Sequence, residues 1–449
     1  MNENTTQDRR NAWSQARSMA AQTPESRNRY VDFLRAWSIC AVVFGHWLMA
    51  APYISDGSIM ISSMLEHQAW TRWLTWAFQV MPVFFLVGGY SNSVSWQSAQ
   101  RRGQGYGSWL QARLQRLIGP VLPLVLLWAF LAAGAQYLGV HPTMVKVASQ
   151  MALIPIWFLA VYIVVVLLVP VSYAAWQRYG FFSFAVLVAL AIADDLAFFS
   201  GFKALGVLNY AFVWLAVHQL GYAWRDGYLA GGRQGSTWML GGLVILVALV
   251  AFGPYPVSMV SVPGQEISNT LPPKVTLLAL GIAQCGLLLS VEKPMRRWLA
   301  GLTPWTGVVL VNSMIMTVFL WHLTASTLTI GLALLIGDIG LDAIPGSAAW
   351  WMLRPAWIVV YLLALLPFAL LFGRFERSAA PATEYPNWRL IPGAVLACAG
   401  LALLALDGVA GEGLLGLKDW VLLLPFLGAF LAGINPFRKA SRGRGADER

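Results

Sequence analysis

The chain has 449 residues, 58% of them hydrophobic and only 11% charged, with 22 tryptophans and a mean hydropathy of +0.62. That balance excludes an ordinary soluble domain and implies an all-α polytopic membrane protein. The formal net charge of +10 does not imply a nucleic-acid partner, because the basic residues form short clusters between apolar runs rather than one continuous face.

In chain order, residues 1–29 are polar and arginine-bearing, with no apolar segment followed by a small-residue cleavage site, and read as a disordered cytoplasmic tail. Stretches able to cross a hydrocarbon layer of about 30 Å then lie near 31–51, 73–95, 117–138, 151–173, 180–199, 207–224, 237–253, 274–291, 305–330, 354–373, 390–407 and 418–434. The pattern predicts about twelve transmembrane helices. Lysine and arginine collect in alternate connections, among them those holding Arg101, Arg102, Arg113 and Arg116, then Arg178, then Lys293, Arg296 and Arg297. The positive-inside rule therefore predicts that both termini of a multi-pass cell-membrane protein are cytoplasmic, with 436–449 as a basic tail. No internal repeat of the kind common in rocking transporters is visible.

The first span carries an unusual polar stripe. Asp32 and Arg35 are three residues apart and Arg35 and His46 eleven apart, which brings His46 back to within about 20° of Arg35 around the helix. One face thus bears all three, with His46 about 16 Å beyond Arg35 along the axis. Charged groups inside a membrane cost about 2.5–3.5 kcal/mol on insertion scales and usually line an internal cavity. A neutral histidine can accept a proton and an arginine can stabilise negative charge, so the stripe suits a general base joined to an anion or oxyanion binder.

The run Val31-Asp32-Phe33-Leu34-Arg35-Ala36 followed by Val42-Val43-Phe44-Gly45-His46 resembles the first-span signature of the integral-membrane acyltransferase family 3. Further resemblances are Met81-Pro82-Val83-Phe84-Phe85-Leu86-Val87-Gly88-Gly89-Tyr90 to its FF-x-x-SG segment, with Gly88 where serine is usual, and Arg113 to Pro120, with three residues rather than two before the proline, to its R-x-x-R-x-x-P motif. Trp157-Phe158-Leu159 and Phe319-Leu320-Trp321-His322 resemble two later motifs. The resemblance implies a ten-helix acyltransferase-like domain over 30–385, leaving 386–435 as about two extra transmembrane helices. It implies an acyl-CoA-dependent O-acyltransferase that moves an acyl group, acetyl in many members, from cytoplasmic acyl-CoA to a hydroxyl of an extracytoplasmic sugar, glycan or glycolipid. His46 would be the base or acyl carrier, with Arg35 and Asp32 supporting it.

The remaining candidates fit that scheme. Arg113 and Arg116, with Arg101 and Arg102 nearby, can bind the phosphates of acyl-CoA, since guanidinium forks match phosphate oxygens. His218 and His322 are further intramembrane histidines that could line the same cavity or touch the acceptor. The Pro- and Gly-rich loop 253–274 offers Ser268 and Asn269 for sugar hydroxyls. Asp194, Asp195, Glu292 and Glu376 read as helix-end or boundary residues. Cys40, Cys285 and Cys398 sit in apolar runs without CxxC spacing, so no disulfide framework or metal site is expected. The expected partners are acyl-CoA, a carbohydrate or glycolipid acceptor and membrane lipid. A multi-span exporter using the stripe as a proton relay is the rival class, and a non-catalytic envelope scaffold would leave the stripe unexplained.

Overall fold

A computed structural model describes residues 12–25, 27–376 and 385–436. Eleven helices among these are long and apolar enough to cross a membrane: Arg29–Met49, Thr71–Arg101, Tyr106–Tyr137, Pro142–Tyr179, Phe181–Phe199, Lys203–Arg225, Arg233–Phe252, Val275–Leu299, Ile315–Leu335, Ala348–Glu376 and Asn387–Asp407. The protein is a multi-pass α-helical membrane protein. The only strands among the described residues are a small hairpin, Tyr53–Ser55 against Ser58–Met60.

Several predicted boundaries change. The last apolar stretch folds as Asp419–Leu431, 13 residues, which at 1.5 Å per residue is about 20 Å and short of a full crossing. The single span predicted over 305–330 divides into Leu302–Asn312 and Ile315–Leu335. There Asn312 Nδ2 bonds the carbonyl of Val308 and Ser313 Oγ that of Leu310, so side chains compete with the helical ladder at the break. The spans predicted to start at 117 and 151 begin as helix at Tyr106 and Pro142, because an amphipathic first section bears polar residues that a hydropathy criterion discounts. A helix also forms within the segment expected to be an unstructured tail. Ala12–Ala21 buries Ala16 and Ala20, and just beyond it Trp305 Nε1 donates to Thr23 Oγ1. The predicted tail residues 1–11 and 437–449 lie outside the described residues.

The chain forms two compact units, each built from separate segments: 1–42, 72–91 and 179–315 in one, and 43–71, 92–178 and 316–449 in the other. In the first unit, helices 81–101 and 209–225 approach so closely at Gly89 and Gly221 that a side chain on Gly89 would overlap the carbonyl of His218. Asp195 gathers Asn209 Nδ2 at 2.9 Å, Tyr255 Oη at 3.0 Å and the Val275 amide at 2.9 Å. Lys274 Nζ stands 3.6 Å from the same carboxylate and 3.5 Å over the Phe198 ring. This buried knot ties helix 181–199 to the connection before helix 275–299. Asp195 is therefore an internal anchor rather than a solvated helix end.

In the second unit the C-terminal pair of helices, 387–407 and 419–431, packs through small residues. A Cβ on Gly393 would come 2.8 Å from the Gly428 carbonyl and one on Gly400 2.8 Å from Leu424 Cβ, a spacing only small residues permit. This C-terminal helical hairpin is joined to its neighbours by polar side chains that reach main-chain atoms. Gln136 Nε2 donates to Gly416 O at 2.8 Å, Gln150 Nε2 to Leu406 O at 2.6 Å, and Ser149 Oγ accepts from Val409 N at 3.1 Å. Lys146 and Lys418 both pair with Asp407.

Candidate active site

Helix Arg29–Met49 is continuous and carries the whole predicted stripe. Its far side exposes Trp37 and Phe44, which lie about half a turn around from Asp32, Arg35 and His46. The stripe faces inward because the aromatic residues take the lipid side.

In the first unit, Asp32 is buried and paired twice, with Arg27 Nε at 2.6 Å and Arg35 Nη1 at 3.3 Å. The carboxylate in turn holds the Arg27 guanidinium above its ordinary pKa, chiefly through their hydrogen bond. Arg35 also donates from Nη2 to Ser91 Oγ at 3.0 Å, and Asn312 Nδ2 bonds the Asp32 carbonyl at 3.0 Å. Arg27, Ser91 and Asn312 escaped the sequence reading. Ser91 had a signal: it lies one helical turn after Gly88, the position at which the family motif has serine.

In the second unit, His46 Nδ1 is 2.8 Å from His322 Nε2, with the two rings parallel within 2°. The opposite nitrogen of His322, Nδ1, is 2.7 Å from the carbonyl of Phe319. A carbonyl can only accept, so Nδ1 of His322 bears the proton and its Nε2 offers a lone pair. In the neutral pair His46 must then donate from Nδ1, leaving its Nε2 unprotonated with a lone pair to offer. One backbone carbonyl thereby fixes both tautomers.

The surrounding residues hold this pair still. Trp47, fully buried, donates from Nε1 to the His322 carbonyl at 3.2 Å. Arg354, buried and stacked 3.7 Å from the Trp350 ring centre, donates to the carbonyls of Trp47 and Ala50 at 3.4 and 3.2 Å. A cation at the carbonyl end of a helix offsets its dipole, so Arg354 fixes the last turn of the His46 helix. Glu376 does the converse for the His322 helix, accepting from the amides of Met316 and Thr317 at 3.1 and 3.2 Å and from Thr317 Oγ1 at 3.0 Å. Glu376, read from sequence as a boundary residue, is a helix cap.

His322 is thus brought to His46. His218, in the other unit, is fully buried with its ring edge-on to Tyr222 at 5.0 Å. Arg101 and Arg102 end helix 81–101 exposed, bonding Gln97 and Ser98 of their own helix. Arg113 and Arg116 share a side of helix 106–118, Arg116 exposed and Arg113 5.8 Å over the Trp109 ring. Asn269 is fully buried and its amide is spent on neighbouring groups, donating to the Pro256 and Ser258 carbonyls of its own loop and accepting from Thr276 at the start of the next helix. Ser268 Oγ accepts from the amides of Thr270 and Leu271 in a local turn. Among the described residues no group of three or more His, Cys, Asp or Glu could hold a metal ion.

The sequence model for the acyltransferase domain of acyltransferase family 3 matches residues 28–374, from just before the Asp32 stripe to the end of the helix that carries Arg354. The chain belongs to acyltransferase family 3. No curated protein and no solved structure matches it. As a family member it is a membrane-embedded acyltransferase, and the matched region holds both the Asp32–Arg35–Ser91 cluster and the His46–His322 pair. The C-terminal hairpin lies wholly outside the match.

Proposed function

We propose that the protein is an acyl-CoA-dependent O-acyltransferase of the cytoplasmic membrane, with both termini cytoplasmic, transferring a short acyl group such as acetyl to an extracytoplasmic sugar, glycan or glycolipid hydroxyl. The observation that carries this reading is the unprotonated Nε2 that the His322 bond leaves on His46. His46 Nε2 removes the acceptor's hydroxyl proton as the oxygen attacks the thioester carbon. The tetrahedral oxyanion then collapses, the C–S bond breaks, and the proton held by His46 goes to the departing CoA sulfur. Donating to His322 throughout, Nδ1 of His46 keeps the ring oriented and spreads the imidazolium charge.

Arg113 and Arg116, with Arg101 and Arg102, capture the phosphates of acyl-CoA. A forked guanidinium suits that task better than a point charge. Arg35, held by Asp32 and Ser91, contributes fixed positive charge for the donor about 16 Å from His46 along their shared helix. Asp32 is its orienting partner.

Membrane vesicles holding the protein and the acceptor pool of its own cells, given radiolabelled acetyl-CoA, test the reading. Label should pass to an envelope glycan or lipid fraction and be lost in a His46→Ala variant. Equal labelling by the variant, or release of CoA unaffected by the substitution, would overturn it.

A further inference from the structure

Helix 106–118 has two functional faces. Gln111, Leu114, Gln115 and Ile118 are buried on one side, while Arg113 and Arg116 stand about half a turn away on the other. Buried glutamines in a membrane protein need partners, and both find them at the end of the C-terminal hairpin. Gln115 makes a two-way bond with Asn435, donating from Nε2 to its carbonyl at 2.9 Å and accepting its amide on Oε1 at 3.1 Å. Gln111 Nε2 donates to Ala432 O at 3.3 Å. At the start of the same hairpin, Gly107 lies against Asn387, a Cβ there coming 2.9 Å from Asn387 Oδ1. Three points separated along the helix, all on hairpin segments beyond residue 385, therefore fix both its position and its roll about its own axis. On the arginine side Tyr106 Oη donates to the Leu167 carbonyl at 3.0 Å and Trp109 Nε1 to Ser95 Oγ at 3.1 Å, while the hairpin holds the helix from the side opposite the arginines.

We propose that the C-terminal hairpin, residues 387–435, is a brace that orients the Arg113/Arg116 face toward the phosphate-bearing acyl donor. The inference rests on the reading of that face as the donor clamp. It gives a task to a segment outside the family match.

The test uses the full-length protein in membrane vesicles, with acetyl-CoA as probe. Gln111→Met/Gln115→Met keeps side-chain length and apolar packing but removes all three bonds. It should raise the KM for acetyl-CoA about three- to tenfold, the range set by the loss of one to two net hydrogen bonds, with kcat within twofold. Gln136→Met, which unties the hairpin from helix 121–137 at its other end, should leave that KM unchanged. A fall in kcat with unchanged donor KM, or an equal KM rise in Gln136→Met, would overturn the brace. Arg113→Ala and Arg116→Ala separate it from the reading beneath. If they leave donor KM untouched the clamp itself is wrong, whereas a rise in them without one in the glutamine variant refutes the brace alone. Should the double variant not fold, Gln111→Met, losing a single bond, carries the same comparison.

Discussion

Replacing His322 with phenylalanine keeps an aromatic ring in the buried slot beside Trp47 but removes the acceptor that His46 Nδ1–H has among the described residues. Two effects follow. The His46 ring loses a hydrogen bond and is left with a stranded polar hydrogen, together worth about 1–3 kcal/mol. It is also free to shift its proton to Nε2, which disables the base. At about 1.4 kcal/mol per tenfold, acyl transfer from radiolabelled acetyl-CoA should fall roughly 10- to 100-fold, less than the roughly 100- to 10,000-fold expected on deleting the base in His46→Ala. His322→Gln, whose amide oxygen can still accept, should fall between wild type and phenylalanine. Because His322 acts through His46, the double variant His46→Ala/His322→Phe should be no slower than His46→Ala. A phenylalanine variant within twofold of wild type, or two substitutions that multiply, would refute the coupling.

Ser91→Ala removes one of the two side-chain bonds that hold Arg35; a loss of about 1 kcal/mol predicts about a fivefold lower kcat/KM in the same assay, with thermal unfolding nearly unchanged. Gly89→Ala puts a methyl group into the His218 carbonyl, so it should destabilise the fold by about 1–3 kcal/mol, seen as a lower unfolding temperature in detergent. Asp195→Asn or Lys274→Met alone breaks a buried ion pair and should cost about 3–5 kcal/mol, whereas the two together should cost less than their sum; additive losses in unfolding temperature would show that the pair is not coupled.

The sequence carried the apolar stretches and the inward face of the first helix, because both depend on residue type and spacing along one element. It could not carry His46 against His322, which lie on helices distant in the chain and meet only by packing. Ser91 was one helical turn from the position at which the motif pointed, and a search at steps of three and four from Gly88 would have found it. The brace was illegible for another reason. Gln111, Gln115, Gln136 and Gln150 all bond to main-chain oxygens, and a main-chain partner leaves no matching residue type to recognise. Glu376 likewise caps amides rather than a side chain of complementary charge.

The bond from His322 Nδ1 to the Phe319 carbonyl also makes the histidine pair a cul-de-sac for protons. An extra proton entering at His46 Nε2 can be shared toward His322, but the chain of donors stops at an oxygen that neither gives up a proton nor passes one on. The pair therefore stores a single proton and must release it by the way it came. In the proposed reaction each turnover would then be electrically silent with respect to these residues, the hydroxyl proton being lent for one acyl transfer and returned with the departing thiol.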